Sequence, residues 1–331
     1  DLLNLMQATD IVCKVIKKDS IVVLESTVYP GVTEEIIAKR IEKKTNYKLN
    51  KNFFVGYSPE RINPGDKVHT IDKITKVISA SSSKSLDIVD FVYSSAIKAG
   101  TYRAKTIKIA EAAKIIENTQ RDLNIGLINE LTLFFSKLNI NVFDVLEAAS
   151  TKWNFINMKP GLVGGHCIGV DPYYLSYKFK KIGVKPTLIN AARKINDNMA
   201  EFFAKQILIE KKKHKLKGKM LILGYTFKEN IPDYRNTKIE NLYINLRNKH
   251  KNIFIYDPFY KSFDKKILKK YNFIKKPSKK DYDIVVLAVK HNEFLIKNNL
   301  FIKNILKQKG IIFDIHNLVK GKSDNFIKKI S

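Results

Sequence analysis

Among 331 residues there are two cysteines, Cys13 and Cys167, and a single tryptophan. Two thiols rule out a disulfide framework, and they rule out a zinc site built from four cysteines. Long apolar runs are missing as well. None approaches the roughly 18 residues needed to cross a bilayer, and the opening Asp1-Leu2-Leu3-Asn4 has neither the basic nor the apolar region of a signal peptide. The expectation is a cytoplasmic globular protein with no membrane partner. Acidic residues are scarce: 32 Asp and Glu stand against 60 Lys and Arg, a net charge of +28. Such a balance ordinarily points to nucleic acid. Here only seven of the basic residues are arginine, and the lysines spread from end to end. The densest runs, Lys211-Lys212-Lys213 and Lys275-Lys276 to Lys279-Lys280, read as solvated helix ends or loops, and no nucleic-acid partner is expected. Also absent is the G-x-G-x-x-G turn that opens a dinucleotide-binding unit. Either the first region is not a dinucleotide site, or its first βαβ half lies upstream of Asp1.

What is present reads as an α/β chain. Its length exceeds one ordinary core, and 44% hydrophobic residues suffice to build two or three. Three regions separate by pattern: 1–105, 106–206 and 207–331. In the first, Ile21 to Leu24, Phe53 to Tyr57 and Lys76 to Ser79 are short apolar strands of a parallel sheet, and Thr33 offers an N-cap to a helix opening with Glu34 and Glu35. The second opens with one long helix. Ile109, Ala113, Ile116, Gln120, Leu123, Leu127, Leu131, Phe134 and Leu138 recur at spacings of three and four, a stripe suited to joining domains or pairing with a partner subunit. A glycine-rich loop, Pro160 to Pro172, follows, and helical pattern resumes from Tyr173 and from Lys185 to Gln206. In the third region, Met220 to Gly224, Ile253 to Tyr256, Ile284 to Ala288 and Ile311 to Phe313 repeat the rhythm of buried parallel strands. The fold class is therefore α/β: two Rossmann-like doubly wound domains joined by a long central helix, with ligands beyond the carboxyl ends of the strands.

Taken alone, Cys167 reads as an inert buried thiol sooner than a nucleophile. Its surroundings argue otherwise. Gly164, Gly165 and Gly169 leave room for close approach to the sulfur, and His166 adjoins it. Thr27 and Glu60 each follow a strand directly. Lys114 and Asn118, four apart on the long helix, share a face off the apolar stripe, a pattern that also fits a solvated surface. Asp171 lies four residues beyond Cys167. Together these supply a thiol, carboxylates, an ammonium and an amide, the parts of covalent carbonyl chemistry.

The order of motifs then becomes recognisable. Glu25-Ser26-Thr27, Tyr57 to Gly65, Lys114 to Asn118 with Asn129-Glu130, Gly164 to Pro172, and Gly224 to Asn230 with Asp233 and Arg235 resemble the UDP-glucose/GDP-mannose dehydrogenase family across essentially the whole chain. Ser58 to Gly65, Thr151-Lys152-Trp153-Asn154 and His166-Cys167 are similar to its UDP-N-acetylhexosamine branch. Pro64 stands where UDP-glucose dehydrogenases usually carry a second glutamate, which argues against UDP-glucose and leaves one general-base assignment resting on Glu60.

The resemblance implies an NAD-dependent four-electron oxidation of the C6 alcohol of a UDP-N-acetylhexosamine, in surface-polysaccharide synthesis. A first hydride transfer gives an aldehyde, Cys167 attacks it to form a thiohemiacetal, a second transfer gives a thioester, and hydrolysis releases the uronic acid. Lys114 and Asn118 would stabilise the oxyanion, and Glu60 and Asp171, with Thr27 holding a water, would handle proton transfer and hydrolysis. By the same resemblance Thr27, Glu60, Cys167 and Arg235 meet the cofactor, and Glu60, Arg61, Lys114, Asn118, Gly164 and Lys228 meet the substrate. A homodimer or higher homo-oligomer is implied, as is a first Rossmann half preceding Asp1. Alternatives are a fragment that binds UDP-sugar without oxidising it, and a dehydrogenase of UDP-N-acetylmannosamine or UDP-glucose.

Overall fold

A computed structural model describes residues 2–319 and 327–329; Asp1 lies outside the described residues. In chain order the first part forms α1 (Leu3–Val15), β1 (Ser20–Leu24), a π-helical segment (Thr33–Ala38) running into α2 (Lys39–Lys44), β2 (Phe53–Tyr57), β3 (Lys76–Ala80), α3 (Ser83–Ala96) and β4 (Thr101–Arg103). The middle supplies α4 (Ile107–Lys137), α5 (Val142–Ser150), α6 (Asp171–Lys181) and α7 (Thr187–Lys213). The last part forms β5 (Lys219–Leu223), α8 (Ile239–Lys249), β6 (Ile253–Tyr256), α9 (Lys265–Lys270), β7 (Tyr282–Leu287), α10 (Asn292–Ile305), β8 (Leu306–Asp314) and β9 (Ile327–Lys329). Two compact units emerge, Asp1–Thr119 with Asp171–Pro186, and Gln120–Val170 with Thr187–Ser331.

In the first unit the strand order is β1-β2-β3-β4. β1 and β2 run parallel, in register from Ser20 opposite Phe53 to Leu24 opposite Tyr57. Phe53, Val55 and Tyr57 alternate along β2, so they share a face, and they form a core with Ile37, Ile41, Ile107, Ala110 and Ile115. Two details depart from the sequence reading. β3 runs antiparallel to β2, because the connection between them holds only a 3₁₀ turn, Ile71–Lys73, and no helix to make the crossover that a parallel pair requires. Thr33 is not an N-cap; its N–H and its hydroxyl both donate to the Glu111 carboxylate, a stronger acceptor than a threonine hydroxyl.

The second unit carries a five-stranded sheet of order β6-β5-β7-β8-β9, parallel throughout. Met220, Leu221, Ile222 and Leu223 of β5 are all fully buried, as a central strand covered on both faces demands. The chain reverses direction across the sheet between β6 and β7, on either side of β5, and that switch point opens a crevice at the carboxyl ends of β5 and β7. The apolar stripe on α4 faces outward: Ile109, Ile116, Leu127 and Phe134 are about half exposed. Among the described residues no helix is long and apolar enough to cross a membrane.

Candidate active site

Two loops leave the carboxyl ends of β1 and β2, and backbone hydrogen bonds tie them together: Ser58 N–H donates to Leu24 O at 3.0 Å and Glu60 N–H to Glu25 O at 3.4 Å. Helix α4 grips both loops. Glu111, fully buried, accepts from Gly31 N–H at 2.5 Å, Thr33 N–H at 2.8 Å and the Thr33 hydroxyl at 2.7 Å. Burial still pushes this carboxyl above its ordinary value, although the three donors pull the other way. Glu117 pairs with Arg61 at 2.7 Å, and Arg61 also donates to Thr75 O at 2.9 Å. The first anchor fixes the loop that carries Thr27, the second the loop that carries Glu60.

Lys114 stands between the two anchors, and Asn118 directly follows the second. They are 9% and 7% exposed, so they are no solvated face. Asn118 donates to Asp171 at 2.6 Å, and Asp171, the first residue of α6, is 2% exposed. Lys114 makes no ion pair among the described residues. A buried ammonium without a carboxylate is costly, and its charge is available to a ligand. Thr27 is half-buried and Glu60 exposed. Glu60 accepts from Ile62 N–H at 2.7 Å and lies 3.9 Å from the buried Lys76 ammonium, which also sits 3.3 Å from Glu25. Tyr93 donates its hydroxyl to Glu25 at 2.6 Å; burial first, and Glu25 next, push that phenol above its usual range.

Cys167 belongs to the second unit, where the loop carrying it lies against the segment after β5. Gly164 approaches the Asn236 backbone so closely that a Cβ would stand 2.8 Å from its carbonyl oxygen. Gly165 takes φ +83°, and a Cβ there would meet the Phe227 ring at 2.6 Å, so both positions need glycine. Gly165 N–H donates to Asn236 O at 3.3 Å. The His166 ring meets Phe227 edge-on at 5.7 Å, with Nδ1 3.8 Å from the Asp233 carboxylate. Asp233 holds Arg235 through contacts of 2.6 to 3.0 Å, and that guanidinium keeps the Asp233 carboxyl below its usual value. Asp233 is the largest influence on the Arg235 charge, and Cys167 is a lesser one. Arg235 immediately precedes Asn236, whose carbonyl holds Gly165, so a guanidinium is carried by the segment against which the cysteine loop lies. On the other flank Asn129 of α4 clamps Gly161, accepting from its N–H at 2.9 Å and donating to its carbonyl at 3.1 Å. The clamp is braced by Asn196 and the buried Arg193–Asp122 pair.

At the switch point of the second sheet lies a small open cleft, lined by Lys228, Lys238, Lys290, Thr226, Thr237 and His316 among others. Three lysines around one cleft suit an anionic ligand such as a diphosphate. Its floor is pinned by Asp257, fully buried, which accepts from Tyr225 N–H at 2.6 Å and Thr226 N–H at 3.1 Å and lies 3.2 Å from the His291 ring. Burial also pushes His316 below its usual value.

Thr27, Glu60, Arg61, Lys114, Asn118 and Asp171 thus belong to the first unit, and Gly164, Cys167, Lys228 and Arg235 to the second. Sequence reasoning missed Glu111, Glu117 and Lys76, the side chains that pair with these two loops. The available signal was helical spacing: Glu111 and Glu117 lie three residues before Lys114 and three after it.

Domains of one family match the chain in order: the UDP-glucose/GDP-mannose dehydrogenase NAD binding domain over residues 1–97, the central domain over 108–198 and the UDP binding domain over 221–321. Protein CapL of Staphylococcus aureus is 48% identical over 336 aligned residues, covering 100% of this chain and 78% of its own length. A UDP-N-acetyl-D-glucosamine 6-dehydrogenase of Pseudomonas aeruginosa is 44% identical, covering 98% of this chain and 78% of its own. Among solved structures, a UDP-D-ManNAc dehydrogenase of Pyrococcus horikoshii superposes with a TM-score of 0.85 at 29% identity, covering 100% of this chain and 77% of that one.

Proposed function

The chain belongs to the UDP-glucose/GDP-mannose dehydrogenase family and is an NAD-dependent nucleotide-sugar dehydrogenase, and from that premise we propose that it oxidises C6 of a UDP-N-acetylhexosamine to the uronic acid through a thioester on Cys167. The observation that carries this reading is the buried Lys114 ammonium, unpaired among the described residues, one helical turn from the Asn118–Asp171 hydrogen bond.

The donor set suits the cofactor. Thr27 and Glu60 follow strands at the carboxyl edge where doubly wound sheets present ligands, and with Cys167 and Arg235 they would hold the nicotinamide end of NAD. When bound, NAD supplies the hydride acceptor. Lys114 and Asn118 donate to the C6 oxygen as it gains negative charge, a role in which one preorganised donor contributes about 3 kcal/mol. Cys167 adds to the aldehyde carbon, forming a C–S bond. After oxidation at that carbon, water adds, Asp171 accepts its proton and the sulfur leaves as thiolate. Glu60, half-exposed beside Lys76, takes up the hydroxyl proton of the first oxidation. Gly164, Arg61 and Lys228 meet the substrate, Lys228 from the three-lysine cleft, which suits the diphosphate of a UDP-sugar.

Two named relatives that act on UDP-N-acetyl-D-glucosamine are 44% and 45% identical, against 31% or 32% for relatives that act on UDP-N-acetyl-D-mannosamine. This favours the gluco epimer. We assign residues 1–105, 106–206 and 207–331 to cofactor binding, to the central helices with the catalytic loop, and to nucleotide binding. The exposed α4 stripe supports a homodimer, and the chemistry fits a cytoplasmic enzyme supplying uronic acids to a surface polysaccharide. Cys167→Ser should abolish NADH formation with UDP-N-acetylglucosamine; turnover at the wild-type rate would reject the covalent step.

A further inference from the structure

His291 and Asp257 are a buried polar pair in the second unit, 1% and 0% exposed. The His291 ring stands edge-on to Phe259 and Phe294, each 5.5 Å away, so an apolar ring would fill the same space. Instead both ring nitrogens are engaged. Nδ1 accepts from Asn230 N–H at 2.9 Å, so the ring proton sits on Nε2. Nε2 lies 3.2 Å from the Asp257 carboxylate and 3.1 Å from the Thr226 hydroxyl, and that hydroxyl donates to Lys228 O at 2.9 Å. One ring thus holds both ends of the turn 226–230, with Lys228 between them. The Thr226 end has a second anchor, because Asp257 also accepts from Thr226 N–H. At the Asn230 end the further tie comes from the residue next to His291: Asn292 N–H donates to the Asn230 side chain at 3.0 Å. Lys290, on the other side of His291, lines the same cleft as Lys228. The ring therefore joins the loop after β5 to the loop after β7, and each loop carries a lysine of the cleft.

We propose that His291 is a positioning residue for nucleotide binding, its Nδ1 holding the turn that aims Lys228 at the diphosphate. The inference rests on the proposed contact between Lys228 and the UDP-sugar. A lysine side chain is long and rotatable, so fixing its backbone beforehand lowers the ordering cost of meeting an anion. No bond or proton changes at the ring.

Two amide side chains separate the two nitrogens. In His291→Asn the amide oxygen stands near the place of Nδ1 and accepts from Asn230 N–H; in His291→Gln the amide nitrogen stands near that of Nε2, and the acceptor is lost. The full chain, these variants and Lys228→Ala are titrated with UDP by calorimetry. His291→Gln should weaken UDP about tenfold and raise KM for UDP-N-acetylglucosamine alike with kcat unchanged, while His291→Asn stays within about threefold of wild type. Added to Lys228→Ala, His291→Gln should lower affinity by less than about twofold more, because the turn has no ammonium left to aim. Wild-type affinity in His291→Gln, equal losses in the two His291 variants, or full additivity with Lys228→Ala would overturn the inference and leave the Lys228 contact standing. Wild-type affinity in Lys228→Ala would overturn that contact and the inference with it.

Discussion

A carboxylate with no exposure is tolerable only when its oxygens are met, and Glu111 meets that condition through Gly31 and Thr33. Its truncation leaves three donors buried and unanswered, at about 1 kcal/mol or more each. Glu111→Ala should therefore lower unfolding stability by about 2–3 kcal/mol, read as a lower urea midpoint at unchanged slope. An unmoved midpoint would show that solvent reaches those donors. At this scale the sequence was partly legible. Cys167 stood out because glycines surround it, and Lys114 with Asn118 because four residues is one turn. Glu111 did not, since a glutamate on a helix is ordinarily solvated; only the fold reveals that it faces the loop after β1.

Among the elements, the strands were the most legible, because Ile21 to Leu24, Met220 to Leu223 and Ile284 to Leu287 are continuous apolar runs of strand length, although the first, at the edge of its sheet, is only partly buried. Strand direction was less so. β3 has the composition of a parallel strand, but its orientation depends on the path of the connection before it. The outward face of α4 was legible as periodicity, yet periodicity does not say whether the face meets the chain's own core. The loop between α5 and α6 has little regular structure of its own, and Asn129 is what holds it at Gly161. Asn129→Ala should speed proteolytic cleavage within residues 155–170 and reduce kcat/KM about tenfold, the effect of roughly 1.4 kcal/mol. No change in either would mean that the glycine contacts with Asn236 and Phe227 suffice.

For the whole molecule, hydropathy did not reveal that residues 171–186 return to the first unit while Cys167 stays with the second. Family membership was legible because five motifs in fixed order are far more specific than any one of them. Stability in acid is also a property of the whole. Burial pushes Asp257 up, but the His291 ring and the N–H groups of Tyr225 and Phe259 outweigh it, leaving the carboxyl below its ordinary value. A depressed folded value means stability present above the unfolded value of about 3.9 and lost as pH falls through the lower folded value. Melting temperature should thus drop below about pH 4, and more gently in Asp257→Asn. Equal slopes would remove Asp257 from the acid response.

The account's central claim is that one carbon is oxidised twice without release of the intermediate. Its most direct test is the ratio of NADH formed to UDP-N-acetylglucosamine consumed by the full chain, with the product identified by mass. The account requires two NADH per sugar and a UDP-N-acetylhexosaminuronate. One NADH per sugar with free aldehyde released would contradict it.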